Sequence, residues 1–397
     1  METRRYKETG ETVSLLGFGL MRLPLQKEGG QEIDRVRAQE MVDHAIDRGV
    51  NYFDTAYMYH EGKSEPFAGE ALSKHDRKRF NLATKMPLSF IKTEADVERI
   101  FLEQLQKCRV EYFDFYLLHN INQDYLKTAE ACRVYEQLKE KQRQGKIRRL
   151  GFSFHDRPEL LEAVTKKYDW DFAQIQLNYL DWELQNAKEQ YQILESRGIP
   201  VVIMEPVRGG TLASLCEESV ALFKAAAPGA SPASWALRFA ASLPGVITVL
   251  SGMSTMDQLR DNITTMEHFT PLNSEEYRVI EKALAAFRRS GTVPCTACRY
   301  CMDCPEGIDI PRALGIYNNY LLATAHRHPM AGFLFDGEYK ILGEEKQAHH
   351  CIQCNQCSAR CPQHINIPRW MKLIDELHGE RKSAGSPQEE HPAQSEE

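Results

Sequence analysis

"RAQEMVDHAIDRGVNYFDTAYMYHEG", residues 37–62, passes from one periodicity to another. Ala38, Met41, Val42, Ala45 and Ile46 recur at helical spacing, and Gly49 closes the helix. A short apolar run then ends in Asp54, Tyr57 and Tyr59. Helix, glycine, buried strand and polar strand end together make one unit of an alternating α/β fold. The same alternation extends in both directions. Between Ser14 and Met266 the strand-like runs are "SLLGFGL", "NYFDTA", "NLATKM", "FDFYLLH", "RRLGFSF", "FAQIQLN", "PVVIME" and "ITVLSGM", separated by amphipathic stretches such as "EADVERIFLEQLQKC". Eight βα units over this length predict an α/β chain closed into a parallel (β/α)8 TIM barrel, since open doubly wound sheets have fewer strands. No GxGxxG loop opens a helix after the first strand, which counts against the open dinucleotide-binding alternative.

The chain has 397 residues, 42% hydrophobic and 26% charged, enough for one large core and a smaller one. A formal charge of −7 counts against a general nucleic-acid or anionic-membrane surface, so neither partner is expected. The start "METRRYKETG" has no apolar signal region and no run of eighteen apolar residues occurs, so a cytoplasmic location is expected. The pattern "NSEEYRVIEKALAAFRR", with Asn273 or Ser274 as cap and Glu275 and Glu276 in its first turn, is expected to complete the barrel domain, residues 1–287. "SGTVP" reads as a linker into a small, mainly helical cysteine-rich domain over 288–378, and a polar, acidic tail over 379–397 is expected to be disordered.

Barrel chemistry belongs at the C-terminal ends of the strands. There the sequence places Asp54 and Tyr59 after the second strand, Lys85 at the end of the third and His119 at the end of the fourth. An ammonium beside a phenol favours phenolate, and a carboxylate holds the ammonium in place, so Asp54, Lys85 and Tyr59 suit an acid–base relay. A histidine beside them can orient a carbonyl oxygen. Taken singly, each also suits a structural role: Asp54 as a turn cap, Lys85 as its ion-pair partner, His119 as a hydrogen-bonded histidine in the barrel mouth.

At these residues the chain resembles the aldo-keto reductase family over about residues 6–285. "NYFDTAYMYHEGKSEPFAGEAL", "LATK" and "DFYLLH" are similar to the family segments that carry its Asp, Tyr, Lys and His. The resemblance implies that Tyr59 is the general acid toward a carbonyl or alcohol substrate, that Lys85 and Asp54 tune it, and that His119 positions the substrate. It also implies a nicotinamide cofactor, NADP(H) or NAD(H). Ser153 in "GFSFH" and Gln174 in "QIQLN" fall at carboxamide-contacting positions, and Met204 stands where the family stacks an aromatic residue. Phe154 replaces a carboxamide-binding asparagine. In "VRGGTL", Arg208, Gly209 and Gly210 suit a pyrophosphate contact. "SGMSTMDQLRDN" resembles the adenosine loop, with Asn262 at the adenine. Gly252 and Gln258 occupy the positions where NADP-preferring members carry cations, which makes NAD or dual use the expectation and leaves Arg260 as the loop's cation.

Eight of the eleven cysteines form two runs. Cys351, Cys354, Cys357 and Cys361, followed by Pro362, have the spacing that wraps three thiolates round one [4Fe–4S] cube and sends the fourth to another. Cys295, Cys298, Cys301 and Cys304, followed by Pro305, repeat this with one residue fewer before the last cysteine. Zinc is the competing metal, though it requires neither the Cys-Pro ending nor a third cysteine in each run. Two [4Fe–4S] clusters are expected, one on Cys295, Cys298, Cys301 and Cys361, the other on Cys351, Cys354, Cys357 and Cys304. The run-to-run gap and the related segments "GIDIPRAL" and "HINIPRWM" resemble α-helical ferredoxin domains. His349 and His350 read as loop residues, and Cys108, Cys132 and Cys216 as isolated structural cysteines.

Three function classes follow: a carbonyl reductase or alcohol dehydrogenase with an electron-transfer appendage, an electron-transfer protein whose barrel is a cofactor or partner scaffold, and a partner-binding sensor. The Asp54, Tyr59, Lys85 and His119 set favours the first. The clusters imply a redox partner protein. Nicotinamide carries two electrons as a hydride whereas each cluster carries one, and no flavin motif accompanies them.

Overall fold

The computed structural model describes residues 1–6, 10–27, 32–325 and 328–383. The chain forms two compact units, Met1–Leu215 with Val220–Leu284, and Cys216–Ser219 with the chain from Ala285 onward. The division falls inside the helix expected to complete the barrel, three residues before the expected boundary at 287.

The first unit opens with an antiparallel hairpin that the sequence reading did not include, β1 (Thr3–Arg5) and β2 (Thr12–Ser14). Eight strands follow: β3 (Leu16–Gly19), β4 (Tyr52–Asp54), β5 (Asn81–Met86), β6 (Phe113–Ile121), β7 (Ile147–Phe154), β8 (Phe172–Gln176), β9 (Val201–Met204) and β10 (Val246–Gly252). Each pairs in parallel with its neighbour and β10 closes on β3, so the sheet is the expected barrel. Between them run α1 (Arg35–Asp47), α2 (Ser64–Leu72), α3 (Glu94–Cys108), α4 (Gln123–Ala131), α5 (Val134–Arg143), α6 (Pro158–Lys167), α7 (Asp181–Leu184), α8 (Ala187–Ser196), α9 (Glu217–Ala226), α10 (Pro232–Ala241) and α11 (Met256–Glu267). Their starts obey local chemistry. Asp96 and Thr93 close a capping box on α3, and Pro232 opens α10 behind Ser231. For α12 (Ser274–Arg288) the cap is Asn273, whose Oδ1 accepts from the N–H groups of Glu275 and Glu276 at 3.0 Å each.

Strand alternation decides what the barrel encloses. Tyr52, Ala83, Phe115, Leu117, Phe172 and Val202 pack together in its interior, with Tyr6 and Val13 from the N-terminal segment in the same cluster. The Phe115 ring meets Tyr52 edge-on at 4.9 Å and Phe172 at 5.0 Å. Gly151 is required beside this layer, because a Cβ there would lie 2.6 Å from the Phe172 ring. With a period of two, the next inward positions are Asp54, Lys85, His119, Ser153, Gln174 and Met204. All stand at or near C-terminal strand ends.

The second unit is mainly helical: α13 (Ile310–Ala325), α14 (Ala331–Ile341), the single turn α15 (Gln356–Ala359) and α16 (Ile367–Ser383). Its core joins Val293, Ile308, Ile310, Leu314, Phe335, Tyr339, Ile365, Ile367 and Met371. "SGTVP" is more than a linker, since Val293 is buried and its N–H donates to Asn318 Oδ1 at 2.7 Å. Helix α16 continues five residues past the boundary expected at 378; residues 384–397 of the expected tail lie outside the described residues.

The two cysteine runs share a backbone shape. Ala297 and Arg299 have φ of 52° and 67°, and the equivalent Gln353 and Asn355 have 56° and 61°. After each Cys-Pro pair a third left-handed residue follows, Gly307 at 70° and His364 at 52°. Left-handed residues at these repeated positions curl each run into a concave turn.

Candidate active site and cluster-binding sites

At the barrel mouth, Lys85 Nζ donates to Asp54 Oδ1 and to the Thr55 carbonyl, both at 2.7 Å. Neither Lys85 nor Asp54 is appreciably exposed. Burial pulls the Lys85 ammonium below its ordinary pKa and pushes the Asp54 carboxyl above its own, while their mutual attraction opposes both shifts. Asp54 Oδ2 has no hydrogen-bond partner. The Lys85 ammonium also lies 4.9 Å from the Tyr59 ring centroid, and the Tyr59 ring meets His119 edge-on at 6.1 Å. The four expected catalytic residues therefore converge. Burial, then the charges of Lys85 and His155, hold the His119 pKa well below the usual imidazole range, so its ring is neutral at physiological pH.

Tyr59 opens a short turn, Tyr59–Gly62, in which His60 and Glu61 are left-handed at φ 50° and 55°. His60 Nε2 accepts from the Leu23 N–H at 3.3 Å, and burial lowers the His60 pKa to about 4. Tyr57 is directed elsewhere: its hydroxyl reaches Glu103 at 3.2 Å, and its ring lies 4.1 Å from the Lys107 ammonium.

Behind the site lies a buried polar network that the sequence reading missed. Glu65 Oε1 accepts from Thr84 Oγ1 at 2.7 Å and from Gln104 Nε2 at 2.6 Å, and Gln104 also donates to the Lys85 carbonyl at 3.0 Å. It anchors the Lys85 backbone to α2 and α3. The only hint in sequence is Glu65 and Gln104 at otherwise apolar helix positions.

The expected cofactor residues divide into two groups. Ser153 Oγ accepts from the Asn120 N–H at 2.8 Å, and Gln174 Nε2 points to Met204 Sδ at 3.5 Å. Gln174 Oε1 is buried without a partner, an acceptor poised for an amide N–H. Gly209 and Gly210 take φ of 64° and 98° in the turn after β9. Arg208 is fully buried, and its Nε donates 2.9 Å to Asp181 Oδ1, an ion pair the sequence reading did not include. Asp181 Oδ2 also accepts from Gln176 and Asn178, at 2.8 and 2.6 Å.

In the loop before α11, Gln258 Oε1 accepts from the Ser254 N–H at 2.8 Å, a capping bond. Asn262 Nδ2 donates to Ser251 Oγ at 2.8 Å and is buried. Arg260 is solvent-facing with its nearest carboxylate, Asp257, at 3.7 Å. A Cβ at Gly252 would press on the Arg22 side chain at 3.0 Å, and Arg22 pairs with Glu205 at 3.2 Å. Arg22 is thus a second cation beside this loop, unmarked by any motif.

In the second unit, Cys304 lines one apolar cavity with Cys351, Cys354 and Cys357, walled by Ile308 and Met371. Burial raises the Cys357 thiol pKa, and nearby Cys351 and Cys304 raise it further. Cys301 is raised by burial and by the proximity of Cys298, Cys295 and Cys361. The last cysteine of each run therefore neighbours the other run. Cysteine thiolates are soft ligands and suit an iron–sulfur cluster rather than hard cations such as magnesium or calcium. His350 Nε2 lies 3.1 Å from the Glu344 carbonyl oxygen. Cys108, Cys132 and Cys216 are buried.

Comparison with known proteins agrees with this division. The model of the Aldo/keto reductase family matches residues 15–285, and that of a 4Fe-4S dicluster domain matches residues 294–366. An uncharacterized oxidoreductase of Bacillus subtilis, YqkF, is 27% identical over 315 residues, 71% of this chain and 96% of its own. The NADH-specific methylglyoxal reductase of Escherichia coli is 25% identical, over 51% of this chain and 67% of its own. The holo form of aldo-keto reductase AKR11C1 from Bacillus halodurans superposes with a TM-score of 0.59 at 28% identity, over 71% of this chain and 96% of its own. Among the described residues, no helix is long and apolar enough to cross a membrane.

Proposed function

The chain belongs to the aldo/keto reductase family, and from that premise we propose that its barrel interconverts a small carbonyl compound and its alcohol. The observation that carries this is the Lys85 ammonium, set between the Asp54 carboxylate at 2.7 Å and the Tyr59 ring at 4.9 Å, with His119 beside Tyr59. In reduction the Tyr59 hydroxyl gives its proton to the carbonyl oxygen. The Lys85 charge stabilises the negative charge left on the phenol oxygen, and Asp54 holds that ammonium in place. His119, neutral, donates a hydrogen bond that orients the carbonyl.

The residues fit a nicotinamide cofactor. Gln174 and Ser153 would hold its carboxamide, Met204 would flank its ring, and the N–H groups of Gly209 and Gly210 would face its pyrophosphate. Asn262, Gly252 and Gln258 would border its adenosine. When bound, this cofactor supplies or accepts the hydride. The name of the Escherichia coli relative and the missing cations at Gly252 and Gln258 support use of NADH as well as NADPH. In the second unit, Cys295, Cys298, Cys301 and Cys361 would hold one [4Fe–4S] cluster, and Cys304, Cys351, Cys354 and Cys357 the other.

The test compares the parent with Tyr59→Phe on a panel of small aldehydes and ketones with NADH or NADPH. The variant is expected to lose about 10²- to 10⁴-fold in kcat while binding cofactor as the parent does. Equal turnover by both proteins would remove Tyr59 from the role of acid. Cofactor binding without turnover of any carbonyl by the parent would remove the reaction.

A further inference from the structure

We propose that Arg22 is the cation that receives the diphosphate shared by NADH and NADPH, and that Glu205 competes with this diphosphate for it. This rests on the proposed nicotinamide cofactor and adds to that reading a residue outside its motifs.

Three observations carry it. The first is position. β9 and β10 are the seventh and eighth strands of the barrel, and the loops after those two strands are a frequent phosphate site in this fold. Arg22 comes from the turn after β3, yet its side chain lies at that place. Its stem runs against Gly252 at the end of β10, where a Cβ would stand 3.0 Å from Arg22 Cδ and 3.1 Å from its Cγ. Its Nη2 reaches Glu205 Oε1, just past the end of β9, at 3.2 Å. The Arg22 carbonyl also accepts from Ser254 Oγ at 2.8 Å, which ties the adenosine loop to the same residue. Arg22 thus spans from Gly252, which borders the proposed adenosine, to Glu205, whose loop goes on to Gly209 and Gly210.

The second observation is space. A side chain at residue 252 would begin where the arginine stem now lies. The absence of a cation at Gly252 and the presence of one at Arg22 are therefore a single arrangement, in which the charge is delivered from another strand.

The third is access. Arg208, the cation next to Gly209, pairs with Asp181 where neither side chain is exposed, whereas Arg22 and Glu205 keep 24% and 16% of their side chains open to solvent. An arriving anion can reach the second pair and not the first. A guanidinium fork matches phosphate oxygens as well as it matches a carboxylate, so Arg22 can exchange one for the other. Glu205 is held from behind, at φ 55° and with its carbonyl accepting from Asn178 Nδ2 at 2.9 Å. Arg22, on the longer side chain, is the partner that turns.

The experiment titrates the full-length protein with NADH and with NADPH at low ionic strength, followed by nicotinamide fluorescence. Arg22→Met is expected to raise Kd for both cofactors by about tenfold or more, and Arg22→Lys to recover part of that loss. Glu205→Gln is expected to lower both Kd values by about threefold, because the competing charge is gone. The opposite signs separate exchange from a structural brace: if Glu205→Gln weakened binding or left it unchanged, the inference would be overturned. It would equally be overturned by an unchanged Kd in Arg22→Met, or by a loss confined to NADPH, which would place Arg22 at the 2′-phosphate. Should Arg22→Met fail to fold, the Glu205→Gln titration decides alone. A parent that binds neither cofactor would remove the nicotinamide reading itself, an outcome distinct from all of these.

Discussion

Lys85 and Asp54 form an ion pair of 2.7 Å from which water is almost wholly excluded. Burying two charges costs more than most pairs recover, and well-packed apolar residues would serve the barrel's stability at least as well. The role proposed for the pair beside Tyr59 accounts for it better than folding does.

Asp54→Asn is expected to lower the stability of the barrel by about 3–5 kcal/mol, because Lys85 loses its counter-charge in a dry site. Adding Lys85→Met is expected to restore most of that stability but none of the carbonyl reduction. Denaturant unfolding followed by tryptophan fluorescence would check this. A double variant as unstable as the single one would show that the unpaired ammonium is not the cause.

The cofactor loop predicts weak discrimination between NADH and NADPH. Gln258 is engaged with the Ser254 N–H and Gly252 has no side chain, so the affinities should lie within about tenfold, or ~1.4 kcal/mol. Fluorescence titration of both cofactors measures it. A thousandfold preference for NADPH would instead identify Arg260 or Arg22 as a phosphate ligand.

Iron content tests the crossing of the cysteine runs. Because Cys361 neighbours Cys301, Cys361→Ala is expected to lower iron and make residues from about 290 to 378 protease-sensitive, while the barrel still binds nicotinamide. The parent should hold eight irons per chain under anaerobic reconstitution, the number two cubes require. A reproducible four would contradict two full clusters.

Acid should act through His60, whose folded pKa of about 4 lies below the unfolded value of ~6.5. Below pH ~6.5 the unfolded chain binds a proton that the folded chain refuses, so this contribution is intact above that pH and is lost as pH falls toward 4. His119 acts in the same direction. His60→Asn keeps a side chain that tolerates the left-handed backbone and is expected to lose less of its melting temperature between pH 7 and 4.5 than the parent does. Parallel losses in both proteins would show that His60 titrates normally.

The placing of Asp54, Lys85 and His119 at inward strand ends was legible because alternation along a strand is local. Once Tyr52 faces inward, so does Asp54, and the same holds for Ala83 and Lys85 and for Leu117 and His119. The pairing of Arg208 with Asp181 was not legible, since nothing local to a cation after a strand and beside two glycines points to a carboxylate on another element. The capping role of Gln258 and the approach of Arg22 to Gly252 were hidden for the same reason.

The sequence by itself determined the barrel, through its two alternating periods, and the iron–sulfur character of the second unit, through cysteine spacing that only one class of cofactor needs. It also determined which residue types could do chemistry at the strand ends. Tertiary structure alone decided which charges remain available and which are neutralised, as Arg208 is by Asp181. The physical reason is range. Periodicity and spacing are properties of neighbours along the chain, whereas a buried group's charge state and partners are set by segments that only folding brings within a few ångströms.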